Sequence, residues 1–341
     1  MANQKRKYIR YATADKVKRI NPDNIEIMKK YFNHKGSNLS DASITNYKSD
    51  FNQFFVFLLE NEDNRSILDI MEIDERKNRR GTNHHEYVDE MVDILEEYIT
   101  FCGTTLANKE RRIQRRMASI SSLFLFLKRK RILKENPVEY LERPKVGAGE
   151  KQVLKKVFLT EDEVEKIREG LDELNDLQLK LYFELSISTM ARVNAINSIR
   201  LEQIDFEKNL INDVIEKEGY NVTLFPSKKT MELINEWIEY REENDIKSDY
   251  LFVNKYNGEW VQVSKATMQT TWVKKIGEII DEPDITAHTF RRSGATLLYN
   301  RGMSLEKISK LLNHKTTDIT KTHYIKENEE SLKEEKEKFE F

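Results

Sequence analysis

Apolar residues recur at spacings of three and four through three stretches of the first 130 positions. Ser40 to Glu60 carries Ile44, Tyr47, Phe51, Phe54, Phe55 and Leu58. Residues 86–102 carry Val88, Met91, Ile94, Leu95, Tyr98 and Phe101, and residues 105–129 carry Ile113, Met117, Ile120, Leu123, Phe124 and Leu127. That period places each set on one face of an α-helix. Ser40 or Asp41 is suited to cap the first helix. Residues 61–84 are polar and broken by Asn61, Asn64 and Arg79-Arg80-Gly81, which predicts a loop-rich stretch. Asn136-Pro137 opens a short turn and helix that ends at Arg143-Pro144-Lys145. Gly147 and Gly149 among lysines mark residues 146–155 as a linker.

The pattern changes after the linker. Thr160 with Glu163 three residues on is a capping box opening a helix. Residues 175–198 form a long apolar helical pattern that includes Arg192. Asn209 to Phe225 is the one region with strand character: Leu210-Ile211 and Val214-Ile215 precede a Lys217-Glu218-Gly219-Tyr220 turn, and Val222 to Phe225 follow it. Thr230–Glu242, Ser264–Ile280, His288–Arg301 and Leu305–Leu312 then predict helices, punctuated by Pro283, Gly302 and Asn313. The expected fold is mainly α with a small β-sheet, in two domains. A basic N-terminal arm spans 1–21, a helical domain 22–145, the linker 146–155, and an α+β domain 156–341 with a tail from 327.

Composition agrees with two helical cores. The 341 residues are 38% hydrophobic and 34% charged, with 5 prolines and 11 glycines. A single cysteine, Cys102, excludes an intramolecular disulfide and a cysteine metal cluster. No apolar run approaches the roughly 20 residues needed to cross a bilayer, and no apolar stretch follows the basic N-terminus, so we expect a cytoplasmic protein with no membrane association. Net charge is −2. The charge is partitioned, however. Lys5, Arg6 and Lys7 lead a basic run in residues 1–20, and Arg111, Arg112, Arg115 and Arg116 form a second on the third helix, while acid gathers in 161–176, 236–245 and 327–340. Such partition supports a face for a polyanion, although charge runs also form ordinary solvated helix faces.

The residues with chemistry to offer come in a fixed order: Arg192, Lys217, His288, Arg291, His314 and Tyr324. They are the parts needed to attack a phosphodiester with a phenol oxygen. Arginine forks two phosphate oxygens and keeps its proton. Lysine and histidine can move protons, and tyrosine can be a covalent nucleophile. Arg192 lies amid Leu181, Phe183, Ile187, Val193 and Ile196, and an arginine in apolar sequence needs an anion or a carboxylate. His288 and Arg291 share one helical face at i, i+3. Lys228 and Lys229 stand as alternatives to Lys217. His323 is incidental beside Tyr324, and His34, His84 and His85 have no partner at ligand spacing, so no metal is assigned.

This set resembles the catalytic signature of the tyrosine recombinases, the phage integrase family, and the resemblance runs from about residue 22 to 330. Ser43-Ile44-Thr45-Asn46-Tyr47 through Phe54-Phe55-Val56-Phe57-Leu58 resembles the first helix of the family's SAM-like core-binding domain, and Asn136-Pro137-Val138 with Arg143-Pro144-Lys145 its exit. The resemblance implies site-specific recombination through a 3′-phosphotyrosyl link without a cofactor. It makes His314 the second histidine of the set and Tyr324, ten positions later, the nucleophile, and it gives Lys217 the leaving 5′ oxygen to protonate. It implies a homotetramer on DNA with tail-mediated contacts, a C-shaped clamp of two domains, and a bacterial or phage source. Two departures are visible. The carboxylate that usually follows the first arginine by three residues is Ala195 here, and glycines usual in the pattern are Met190 and Asn313. They leave a second reading open, a DNA-binding regulator on the same fold that no longer cuts. An RNA- or protein-binding scaffold would leave the six-residue set unexplained.

Overall fold

Two of the three N-terminal helices predicted from apolar spacing begin within a residue or so of where the pattern places them, and the third begins five residues later. The computed structural model describes residues 11–71, 86–142, 158–216, 220–314, 316–324 and 336, with the side chains of 86, 87 and 322–324 left out. The chain divides into two units, Met1–Lys151 and Gln152–Phe341. The linker expected at 146–155 lies outside the described residues.

In the first unit, α1 (Ala14–Lys18), α2 (Pro22–Lys35), α3 (Asp41–Asn61), α4 (Ile67–Ile70), α5 (Glu86–Thr104) and α6 (Glu110–Arg129) precede a 3₁₀ turn at Pro137–Tyr140. Ser40 caps α3 by accepting from the Ser43 N–H. Tyr31 of α2 sits at the centre, edge-on to Phe51 at 5.2 Å and Phe126 at 5.6 Å, with its hydroxyl 2.8 Å from Ser122 Oγ. Edge-to-face contact suits aromatic rings, and burying a tyrosine is tolerable because the hydroxyl is paired. Buried Asn24 ties α2 to the start of α4, donating to Arg65 O and accepting from the Ile67 N–H.

Three expectations change here. Residues 11–21 are not a loose arm. Tyr11 packs on Phe101 at 4.7 Å, Lys16 pairs with Glu60 at 2.7 Å, and Ile20 is buried. The stretch expected to be loop contains α4, whose Ile67 and Ile70 enter the core. Arg116 does not face outward for DNA. It is 3% exposed, directed at the Tyr98 hydroxyl and Cys102 Sγ, because it falls on the same stripe of α6 as Ile113, Met117 and Ile120. Arg111 and Arg115 are exposed and Arg112 is half-buried. Lys5, Arg6 and Lys7 lie outside the described residues.

In the second unit, α7 (Glu161–Leu174) opens with the predicted capping box of Thr160 and Glu163. The long helix predicted over 175–198 is two: α8 (Leu177–Thr189) and α9 (Val193–Ser198). Met190 breaks it with φ 53°, a left-handed conformation that ends a helix, and Arg192 becomes the residue capping α9. Strands β1 (Ile204–Asp205), β2 (Leu210–Ile215) and β3 (Asn221–Leu224) form an antiparallel sheet in that order, with a register shift between Ile211 and Val214. Next come α10 (Lys228–Glu243) and a hairpin of β4 (Val253–Tyr256) and β5 (Glu259–Gln262) that the sequence reading did not anticipate. After α11 (Lys265–Thr267) a π turn at Met268–Trp272 leads into α12 (Val273–Glu278). Then follow α13 (Ala287–Asn300), α14 (Leu305–Leu311) and α15 (Thr317–Tyr324).

Helix α8 is the axis of this unit. It is buried on all sides and packs against α7, α10 and α13. Its one buried carboxylate, Glu184, takes both Nε and Nη2 of Arg168 from α7. Gly294 lets α13 approach α8 closely, since a Cβ there would lie 2.3 Å from Ile187 O. A small second core of Met190, Ala295, Ile308 and Leu312 packs α14 onto the α8–α13 junction. These contacts fix the ends of α8, α13 and α14 together, and the site forms there.

Among the described residues no helix is long and apolar enough to cross a membrane.

Candidate active site

Arg291 is the best-anchored member of the set. It enters from the second turn of α13, behind a capping box made by Thr286 and Thr289, and is 1% exposed. Its Nη1 donates to Met190 O at 2.5 Å and its Nη2 to Leu312 O at 2.6 Å. A buried guanidinium needs such partners, because desolvating an unpaired charge costs several kcal/mol. The left-handed turn at Met190 aims one of these carbonyls, and the C-terminal end of α14 supplies the other.

Arg192 sits at the same junction, half-exposed. Its Nη1 lies 2.6 Å from Glu216 Oε2, and Arg291 Nη1 lies 4.0 Å from Glu216 Oε1. The two arginines expected to share one phosphate are therefore brought to one carboxylate. Glu216 was not among the predicted residues. It stands directly after β2 and before Lys217, 7% exposed. A faint signal is present, since the strand pattern ends on a carboxylate beside the candidate lysine. Glu216 also meets the requirement that Arg192 find an anion or carboxylate, which Ala195 could not provide.

His314 follows α14 and bridges two elements. Its Nε2 lies 3.4 Å from Arg291 Nη2, and its Nδ1 lies 2.8 Å from Oγ1 of Thr320, a fully buried residue of α15. Arginine can only donate, so Nε2 accepts and Nδ1 carries the hydrogen and donates to Thr320. Asn313, with φ 51°, makes the turn that presents the ring. His288, on the first turn of α13, is exposed. Its pKa is lowered from 6.5, first by desolvation of the ring and then by the charges of Arg291, Arg292 and Arg192. That places Arg192 within electrostatic reach of His288.

Tyr324 ends α15, four residues after Thr320, and four residues is about one helical turn. The helix carrying the tyrosine is thus hydrogen-bonded through Thr320 to His314 and on to Arg291. Lys217 lies outside the described residues. The alternatives Lys228 and Lys229 are exposed at the start of α10. Among the described residues no group of three or more His, Cys, Asp or Glu side chains could hold a metal ion.

A helical unit followed by an α+β unit, with two arginines and a histidine gathered beside a helix that ends in tyrosine, defines a class. Residues 157–331 match the model of the phage integrase family. The chain belongs to that family. It is 32% identical over 202 residues to tyrosine recombinase XerA of Pyrococcus horikoshii, covering 59% of this chain and 65% of that relative. It is 24% identical over 313 residues to tyrosine recombinase XerC of Leptospira interrogans, covering 91% of each. Among solved structures, XerH recombinase bound to a palindromic difH substrate in a post-cleavage complex superposes with a TM-score of 0.66 at 15% identity, covering 92% of this chain and 96% of that one. These likenesses agree with a core-binding domain followed by a catalytic domain.

Proposed function

We propose that this protein is a site-specific DNA recombinase that cuts and rejoins double-stranded DNA through a 3′-phosphotyrosyl intermediate, with Tyr324 as nucleophile. The observation that carries this reading is the convergence of Arg192, Arg291 and His314 beside the helix that ends in Tyr324. In the cleavage step the phenol oxygen bonds to phosphorus and the bond to the 5′ oxygen breaks. Charge spreads onto the non-bridging oxygens, and the two guanidiniums offset it. Arg291 is held rigidly by two carbonyls, so little reorganisation is needed when phosphate arrives. The phenol proton passes to a histidine. His288, whose pKa is lowered, is neutral at pH 7 and can accept it, while His314 Nε2 accepts from Arg291 and can take a proton only when that guanidinium turns to the phosphate. Lys217 supplies the proton for the leaving 5′ oxygen. Reversal with a new 5′ hydroxyl rejoins the strand, so no external energy source enters.

Two duplexes exchanging strands require four cuts, which fits a homotetramer on DNA with contacts made by the tail after 327. The protein would work in the cytoplasm of a bacterial host. Exposed Arg111 and Arg115 of α6, half-buried Arg112, and the basic residues Lys5, Arg6 and Lys7 would contact backbone phosphates.

A nicked suicide substrate carrying the protein's site tests the reading. The wild type should yield a covalent protein–DNA band on a denaturing gel, and Tyr324→Phe should yield none. A band that persists in Tyr324→Phe moves the nucleophile elsewhere. A wild type that binds the site without any covalent product indicates a regulator that reads DNA without cutting it.

A further inference from the structure

We propose that Glu216 is a positioning residue of the cleavage site: its buried carboxylate holds the Arg192 guanidinium in register with Arg291. The inference rests on the reading above, in which these two arginines receive the scissile phosphate. Arg291 needs no such help, because Met190 O and Leu312 O already fix it. Arg192 is different. Its side chain is 29% exposed, and among the described residues its recorded ionic partner is Glu216 at 2.6 Å. Two guanidiniums directed at one point repel each other, and a carboxylate between them offsets that repulsion. It also removes the rotamer freedom of a long side chain that would otherwise turn to solvent.

The carboxylate is itself held. The Glu216 N–H donates to Tyr220 O at 2.9 Å, and Ser198 Oγ of α9 donates to Ile215 O at 3.1 Å. The Ser198 contact ties the helix that Arg192 caps to the end of β2. Glu216 could instead occupy the phosphate's own seat and obstruct the site. The geometry favours positioning. A phosphate surrogate would fork both arginines, whereas Glu216 touches Arg192 closely through one nitrogen and stands 4.0 Å from Arg291, beyond hydrogen-bonding distance. The Nη2 and Nε of Arg192 are left to take phosphate oxygens.

The test compares Glu216→Gln and Glu216→Asp with wild type. It measures single-turnover cleavage of pre-bound suicide substrate and, separately, the Kd for intact site DNA. Glu216→Gln should slow cleavage by about 10², the loss typical of a misplacement near 1 Å. It should leave Kd unchanged or tighter, since a negative charge near the phosphate is gone. Glu216→Asp, which keeps the charge, should recover part of the rate. Faster or unchanged cleavage in Glu216→Gln overturns the proposal and makes the carboxylate an obstacle or a bystander. Parallel losses of rate, affinity and thermal midpoint reduce it to a packing residue. A second measurement does not depend on chemistry. In urea unfolding, Glu216→Gln and Arg192→Gln combined should lower the midpoint by less than the sum of the two single effects. Additive effects overturn the pairing even in an active enzyme. If the wild type cuts nothing, the proposed function fails while coupling in this cycle still supports the pairing.

Discussion

Replacing Gly294 by alanine isolates the close approach on which the site depends. The residue lies in the middle of α13, one turn after Arg291, and a Cβ there would meet Ile187 O at 2.3 Å and Met190 Cγ at 2.8 Å. Ordinary contact begins at 3.4 Å, so α13 and α8 must separate by about 1 Å. The nearer atom is backbone and cannot rotate away. Alanine stabilises a helix interior over glycine by about 1 kcal/mol, and overpacking costs about 1–3 kcal/mol. With a backbone clash at the upper end, the net loss is about 1–2 kcal/mol. At about 1–3 kcal/mol per molar urea, the midpoint should fall by about 0.3–2 M. All three tryptophans, Trp237, Trp260 and Trp272, lie in the second unit, so their fluorescence reports its unfolding. The same shift would stretch the 2.5 Å bond from Arg291 to Met190 O beyond useful length. Cleavage should therefore drop by about 10² on DNA that is still bound. An unchanged or higher urea midpoint would refute the packing argument. A lower midpoint with full cleavage would show that the α8–α13 contact does not place Arg291.

Two further outcomes follow from side chains on the page. Arg111→Ala should make the log–log salt dependence of DNA binding shallower by about 0.9 for one lost phosphate contact, with stability unchanged. Arg115→Ala should also destabilise the fold, because Arg115 lies 3.0 Å from Asp50, whose side chain is 1% exposed; equal salt slopes in wild type and both variants would make this face merely solvated. For His288 the folded pKa lies below the 6.5 of the unfolded chain, so below that value the unfolded state binds more protons. Stability is lost as pH falls through 6.5 toward the folded pKa and then levels. His288→Gln should flatten that loss in urea midpoints taken at about pH 7.5 and about pH 5.5, and an identical loss in both proteins would assign it to another group.

The apolar period showed the long helices because each buries one face and leaves the other to water. It failed at α8, which is buried on all sides and so continues without a polar face into the residues beyond. Nothing in the period marks Met190, whose positive φ divides 175–198 and turns Arg192 from a helix-interior residue into a cap. The β4–β5 hairpin has one legible mark: Asn257-Gly258, both at positive φ, is the turn pair that matches strand twist, but its short strands Val253–Tyr256 and Glu259–Gln262 show no alternation to announce them. Helix α4 was hidden by the polar residues around it, since one turn with two isoleucines carries too little pattern to read.

The candidate site followed a different logic. Order and spacing singled out Arg192, Arg291, His314 and Tyr324 as candidates, because the proposed chemistry restricts them to a few residue types, and the fold gathers the first three beside the helix that ends in Tyr324. Their supports could not. Arg291 is fixed by carbonyl oxygens of Met190 and Leu312, and backbone atoms carry no sequence signature. Thr320 and Glu216 belong to common residue types, and only the fold brings them within 2.8 Å of His314 and 2.6 Å of Arg192. Arg116 shows the opposite limit. Its charge suggested DNA, but its place on the apolar stripe of α6 decided its burial, so a basic run must be read against helical phase before any of it is given to a polyanion. The departures at Ala195 and Met190 have the same character. At the first, the carboxylate beside Arg192 comes from Glu216 at the end of β2; at the second, Met190 itself takes the left-handed turn, and Gly294 on α13 leaves room beside its side chain.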